Sequence, residues 1–143
     1  MFKKTQGLII ILAITILSCK KEAGEGGNST ITGKIWVRDY ISNFTALNGE
    51  HAGSDLEVYI IYGNDATYGN RIKSGPDGVF EFKYLREGDY KLYVYSKDST
   101  GTVGPPYSPS NPNLNAPKKA IYKNVSITKK KQIVDTGTIE ILN

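Results

Sequence analysis

The sequence predicts an all-β protein: a seven-stranded antiparallel two-sheet sandwich over residues 29–143, carried behind a leader at 1–18 and a flexible tether at 19–28. Three observations predict it. From Ser29 onward apolar residues recur at every second position in short runs, the period of a half-buried strand. Clusters of Gly, Asn, Asp and Pro bound those runs, as turns between antiparallel strands require. No stretch after the tether holds a 3.6-residue period for three turns, so helices are not expected.

The N-terminus comes first. Lys3 and Lys4 precede a continuous apolar run from Leu8 to Leu17, broken only by Thr15. That run is shorter than the roughly 20 residues a membrane-spanning helix needs, and it ends at the small residue Ser18, as a secretory signal does. Ile16-Leu17-Ser18-Cys19 resembles the lipobox of bacterial lipoproteins, in which a small residue directly precedes the cysteine that becomes acylated; the Leu stands one place closer to the cut than in the commonest version. The resemblance implies that Cys19 carries a diacylglycerol and an amide-linked acyl chain, palmitate-like anchors that together hold a protein to a membrane where one chain does not. The competing reading is a plain free thiol, but Cys19 is the sole cysteine and has no internal partner.

The tether, "KKEAGEGGN", is polar, Gly-rich and without period. Lys20 and Lys21 could meet anionic head groups or simply be solvated. Asp is absent after Cys19, where it would resemble an inner-membrane retention signal, so the outer membrane of the cell envelope is expected, in either leaflet. The start "CKKE" also resembles tethers of Bacteroidota surface lipoproteins.

Seven strands follow. Ile31, Ile35 and Val37 share one face of the first; Leu56, Val58, Ile60 and Tyr62 of the second. "RIKS" is a short third, and Phe80, Phe82 and Tyr84 line the fourth. Tyr90, Leu92 and Val94 line the fifth; Ile121, Val125 and Ile127 the sixth; Ile139 and Ile141 the last. Between the third and fourth, Pro76 presets φ for a type I turn, Asp77 suits its second position, and Gly78 can take positive φ, so "RIKS" and "VFEFKY" are expected to pair as a hairpin. Gly88-Asp89 makes the next corner.

The order turn-Asp-Gly, Phe80-x-Phe82, Leu85, Gly88-x-Tyr90, Leu92 and Val94 resembles the carboxypeptidase regulatory-like, or transthyretin-like, domain. "STITGKIWV", "AGSDLEVYI" and "DTGTIEI" are similar to its first, second and last strands. The resemblance implies an Ig-like, prealbumin-like sandwich serving as a binding, spacer or stability element, and no catalytic site.

Two connections are long: Asp39 to Ser54 and Ser99 to Pro117, the latter holding five of the six prolines. Loops beyond about 12–15 residues are usually functional or disordered. Pro stiffness around Tyr107 suits either a presented recognition loop or a tolerated surface insertion.

Tyrosine is abundant, with ten in the chain. If Leu92 and Val94 point inward, Tyr93 and Tyr95 point outward, as Tyr59 does on its own strand. Were those strands neighbours, an aromatic patch would result, able to stack on sugar rings or to pack against a protein. Cross-strand pairing explains the same tyrosines without a ligand. Trp36, opposite Ile35 and Val37, could extend the patch or lie under the tether.

Other chemistry finds little footing. The formal net charge is +4, part of it from the leader lysines, and no basic stripe interleaved with aromatics reads as a nucleic-acid site. His51 is the only histidine, which excludes paired-His metal sites and the hydrolase branch of the transthyretin-like family, whose motif needs more than one. Glu50-His51 reads as a solvated loop pair. Asp65, Asp77 and Asp98 read as turn residues, without the ligand spacing of an EF-hand. Asp98-Ser99-Thr100 resembles a short O-glycosylation signal of Bacteroidota. Lys34 faces outward, against an isopeptide role. The expectation is thus a non-enzymatic lipoprotein without cofactor or metal, binding an outer-membrane protein or a glycan. A spacer or accessory subunit without its own ligand, and a small hydrolase, are the alternatives.

Overall fold

A computed structural model describes residues 22–41, 44–100 and 117–143. The leader, Cys19 with the start of the tether, and most of the Pro-rich connection, Tyr107 included, lie outside the described residues. Eight strands follow one another: β1 (Glu25–Tyr40), β2 (Leu47–Ala52), β3 (Glu57–Tyr62), β4 (Asn70–Lys73), β5 (Val79–Leu85), β6 (Gly88–Lys97), β7 (Lys118–Ile127) and β8 (Ile133–Leu142).

They form the expected all-β sandwich of two sheets. In one, β1 is the spine, with β8 along one edge and β5 and β2 sharing the other. The second sheet is ordered β4-β3-β6-β7 and is antiparallel throughout. Along β1 the inward positions Ser29, Ile31, Gly33, Ile35 and Val37 are buried and their neighbours are not. Ile31, Ile35, Phe80, Phe82 and Leu85 meet Val58, Ile60, Leu92, Val94 and Ile127 between the sheets. Each such side chain contributes about 1.5–3 kcal/mol relative to an exposed one, so alternation is what drives the two sheets together.

Several details depart from the sequence reading. β1 and β8 run parallel, with Ile35 opposite Ile139 and Val37 opposite Ile141. The side-chain period is two in either orientation, so alternation carries no sign of direction. The strand added to the expected seven, β2, lies inside the connection 39–54. Its residues are almost all solvent-facing, so it has no apolar pattern, and it is held by backbone pairing and by Glu50, which accepts from Arg38 at 2.9 Å and from Trp36 Nε1 at 3.3 Å.

The Pro76-Asp77 turn forms: Gly78 has φ +80° and donates to Gly75 O at 2.9 Å, and Asp77 caps the Val79 amide at 3.1 Å. The strands flanking it nevertheless belong to different sheets, so the expected hairpin does not extend. On one side Ser74 is claimed by β3's end, accepting from Leu56 N and donating to Gly53 O; on the other, Gly78 O accepts from Ile35 N at 2.9 Å. A Cβ at Gly78 would stand 2.5 Å from Ile35 O, so this corner requires glycine.

Tyr84 does not join Phe80 and Phe82. It has φ +59° and is 71% exposed, and the irregular register of β5 against β1 sends Leu85 inward instead. β1 also starts at Glu25, inside the stretch read as tether. Gly24 N–H donates to the Tyr90 hydroxyl at 3.0 Å, and that hydroxyl donates to Arg86 O at 2.6 Å. This is a tyrosine corner, recruited here to fasten the incoming chain. Glu25 completes the fastening by accepting from Tyr62 at 3.1 Å and Asn70 at 2.7 Å.

Candidate functional site

The outer face of the second sheet carries the aromatic surface that alternation implied. β3 and β6 are neighbours, and Tyr59 stands directly opposite Tyr93. Tyr93 in turn stands opposite Tyr122 on β7, and Tyr59 opposite Arg71 on β4. The result is a cross-strand row, Arg71-Tyr59-Tyr93-Tyr122, whose three rings span about 10 Å at the usual strand spacing.

Ring geometry makes the row one surface. Tyr59 and Tyr93 stack with centroids 4.7 Å apart and 5° between planes. Tyr95 meets both edge-on at 5.8 and 5.7 Å, Tyr68 meets Tyr59 edge-on at 5.1 Å, and Tyr122 tilts against Tyr93 at 5.5 Å. Such pairs contribute about 0.5–1.5 kcal/mol beyond their area, which makes the platform rigid. Tyr59 is the covered centre, 9% exposed, while Tyr122, Tyr95 and Tyr68 are exposed by 59%, 48% and 45%.

Polar neighbours set the electrostatics. The Tyr59 hydroxyl donates to Glu57 at 2.5 Å, and Arg71 pairs with Glu57 at 3.0 Å. The Glu57 hydrogen bond, then burial, raise the Tyr59 pKa, and burial raises that of Tyr93. Burial first, then the Glu25 hydrogen bond, push Tyr62 to about 12. All of these phenols are therefore neutral donors at ordinary pH. Lys91 lies 5.9 Å from the Tyr122 ring centre, a cation–π contact at one end of the platform.

At the other end a cleft of about 190 Å³ opens beside Tyr95, walled by Val37 and Ile141 and edged by His51, Lys97 and Lys118. His51 is on strand β2, not in a loop, and its Nδ1–H donates to Ala52 O at 2.8 Å. Its carboxylate neighbour Glu50 is engaged by Arg38 and Trp36, so Glu50 and His51 do not act as a pair.

The structure therefore brings Tyr59, Tyr93 and Tyr95 together as expected and adds Tyr68 and Tyr122. Tyr122 was readable, since it alternates with the apolar Ile121; Tyr68 sits between β3 and β4, where no period exists. Trp36 is not part of the surface. It belongs to the other sheet, under the Lys34 ammonium at 5.4 Å from its ring centre. Cys19 and Tyr107 are outside the described residues.

Asp98 is more than a turn residue: fully buried, it pairs with Lys119 at 3.1 Å and accepts from the Thr100 amide and hydroxyl at 2.9 and 2.6 Å. Among the described residues no group of three His, Cys, Asp or Glu is placed to hold a metal, and no helix is long and apolar enough to cross a membrane.

No protein-family model and no curated protein matches the chain. Solved structures do resemble it in fold. One is a candidate carbohydrate-binding protein of Pseudomonas aeruginosa, with TM-score 0.47 and 12% identity over 85% of this chain and 92% of that one. Another is the major pilin subunit of Bacillus cereus, with TM-score 0.37 and 20% identity over 78% of this chain. The match spans 30% of the pilin. Both likenesses are of the β-sandwich alone.

Proposed function

We propose that the chain is a non-enzymatic lipoprotein of the cell envelope, anchored in the outer membrane through acylated Cys19, with a transthyretin-like sandwich whose tyrosine face binds saccharide. The observation that carries this reading is the cross-strand row Tyr59-Tyr93-Tyr122 with Tyr68 and Tyr95 around it. Phenol rings fixed on a sheet offer apolar surface to the C–H faces of sugar rings, and their hydroxyls offer donors and acceptors to sugar hydroxyls. Because the rings already brace one another, little side-chain entropy is lost on binding. The anchor is supported by the small residue and cysteine that close the leader.

A second reading, a spacer without a ligand, is favoured by the Tyr59–Tyr93 stack, which satisfies those two rings internally. The two readings separate by affinity electrophoresis of the full-length chain, purified in detergent, through gels containing soluble polysaccharides. Binding predicts retardation by at least one polymer, weakened about 3- to 10-fold in Tyr122→Ala if one exposed ring contributes about 1 kcal/mol. Unretarded migration in every gel supports the spacer, and equal retardation of the variant moves saccharide binding away from the tyrosine face.

A further inference from the structure

The cations around the tyrosine face are arranged in a way that internal pairing does not explain. Lys97 on β6 and Lys118 on β7 are direct cross-strand partners, like charges facing each other at the end of the platform next to Tyr95. Like charges directly opposite are destabilising. Neither takes part in an ion pair among the described residues; Asp98, next to Lys97 in sequence, pairs with Lys119 instead, and Asp39 accepts from the side-chain amides of Asn48 and Asn143. Both lysines edge the cleft beside Tyr95, together with His51. At the platform's opposite end Lys91 rests over Tyr122, and it too forms no ion pair among the described residues.

By contrast, the cations on the β4 side are neutralised, Arg71 by Glu57 and Lys73 by Asp55 at 3.0 Å. The uncompensated charge is thus confined to the β6–β7 side of the stacking surface, where it brackets the exposed rings Tyr95 and Tyr122.

Resting on the saccharide-binding reading, we infer that the ligand is an anionic glycan, a uronate- or sulfate-bearing chain whose rings lie on Tyr122, Tyr93 and Tyr95 and whose acidic group enters the cleft between Lys97 and Lys118. The ligand's charge relieves the Lys97–Lys118 repulsion, so binding and folding reinforce each other. A single-stranded nucleic acid also combines rings with charge. It would call for cations tracking every phosphate along the groove, whereas here the cations stand at the two ends of an uncharged tyrosine stretch.

The test uses matched polymers and the full-length chain in detergent, by affinity electrophoresis or calorimetry. The probes are polygalacturonate, the same polymer with its carboxylates methyl-esterified, dextran sulfate, neutral dextran, and single-stranded oligo-dT. The inference predicts at least tenfold tighter binding to polygalacturonate than to its methyl ester, or to dextran sulfate than to dextran. The first result identifies carboxylate as the recognised group and the second sulfate. It further predicts that the double variant Lys97→Gln/Lys118→Gln removes this preference while keeping binding to the uncharged polymer, and that added salt does the same.

Equal affinity for charged and uncharged forms overturns the anionic preference and leaves the saccharide reading standing. No binding to any glycan overturns both. Tighter binding to oligo-dT than to either acidic glycan overturns the ligand class. Circular dichroism of the lysine variant controls for folding, and a thermal midpoint at or above wild type without ligand is expected once the facing charges are gone.

Discussion

Replacing Tyr90 by Phe removes one oxygen and tests how the chain is fastened to the domain. The ring is buried and meets Tyr62 edge-on at 5.9 Å, contacts that phenylalanine keeps. What is lost is a hydroxyl that accepts from Gly24 N–H and donates to Arg86 O. Both backbone groups are left without that partner, and a buried group stripped of its hydrogen bond costs about 1–3 kcal/mol. Relief from burying the hydroxyl offsets part of this, leaving a net loss of about 2 kcal/mol. At roughly 4 °C per kcal/mol for a domain of this size, the thermal midpoint should fall by about 8 °C. Urea unfolding followed by circular dichroism should show a lower midpoint with unchanged slope, because the exposed area is the same. Tyr84→Phe, at an exposed site, is the control and should stay within about 0.5 kcal/mol of wild type. If Tyr90→Phe also stays within that margin, the corner does not hold the N-terminal segment and the argument fails.

Two further outcomes are expected, one from the fold and one from the leader sequence. Gly78→Ala should lower stability by more than about 1 kcal/mol, measured by the same urea unfolding, because positive φ and the close Ile35 carbonyl both oppose a Cβ; an unchanged midpoint would mean the corner relaxes freely. Cys19→Ala should move the full-length chain from the detergent phase to the aqueous phase in a cloud-point partition. Equal partition of the two would remove the anchor from the account.

Much of the sandwich was legible because burial on one face leaves a mark at every second residue. Ile31, Val58, Phe82, Leu92 and Ile127 were all readable in this way. What escaped has a common physical origin: structure held by backbone rather than by apolar side chains. β2 buries almost nothing, so it left no pattern. The Pro76 turn declared its own shape correctly, yet a turn does not encode which sheet receives each arm; that was decided by Ser74 and Ile35, remote in sequence. Tyr84 looked like a core residue until its positive φ reversed the face.

The candidate site was legible to the same degree. Tyr59, Tyr93 and Tyr95 follow from alternation once their strands are neighbours, and Tyr122 obeys the same rule on β7. Tyr68 reaches the cluster from a connection, and only the fold brings it there. The facing of Lys97 and Lys118 depends on the register of β6 against β7, which no local run of residues specifies.

The most direct test of the central claim is a titration of the full-length chain with the polysaccharide that binds best, followed residue by residue through aromatic ring resonances. Binding at the tyrosine face predicts shifts at Tyr68, Tyr93, Tyr95 and Tyr122, with Trp36, on the opposite sheet, unmoved. Shifts at Trp36 with the tyrosines silent would contradict it and move the site to the other face of the sandwich.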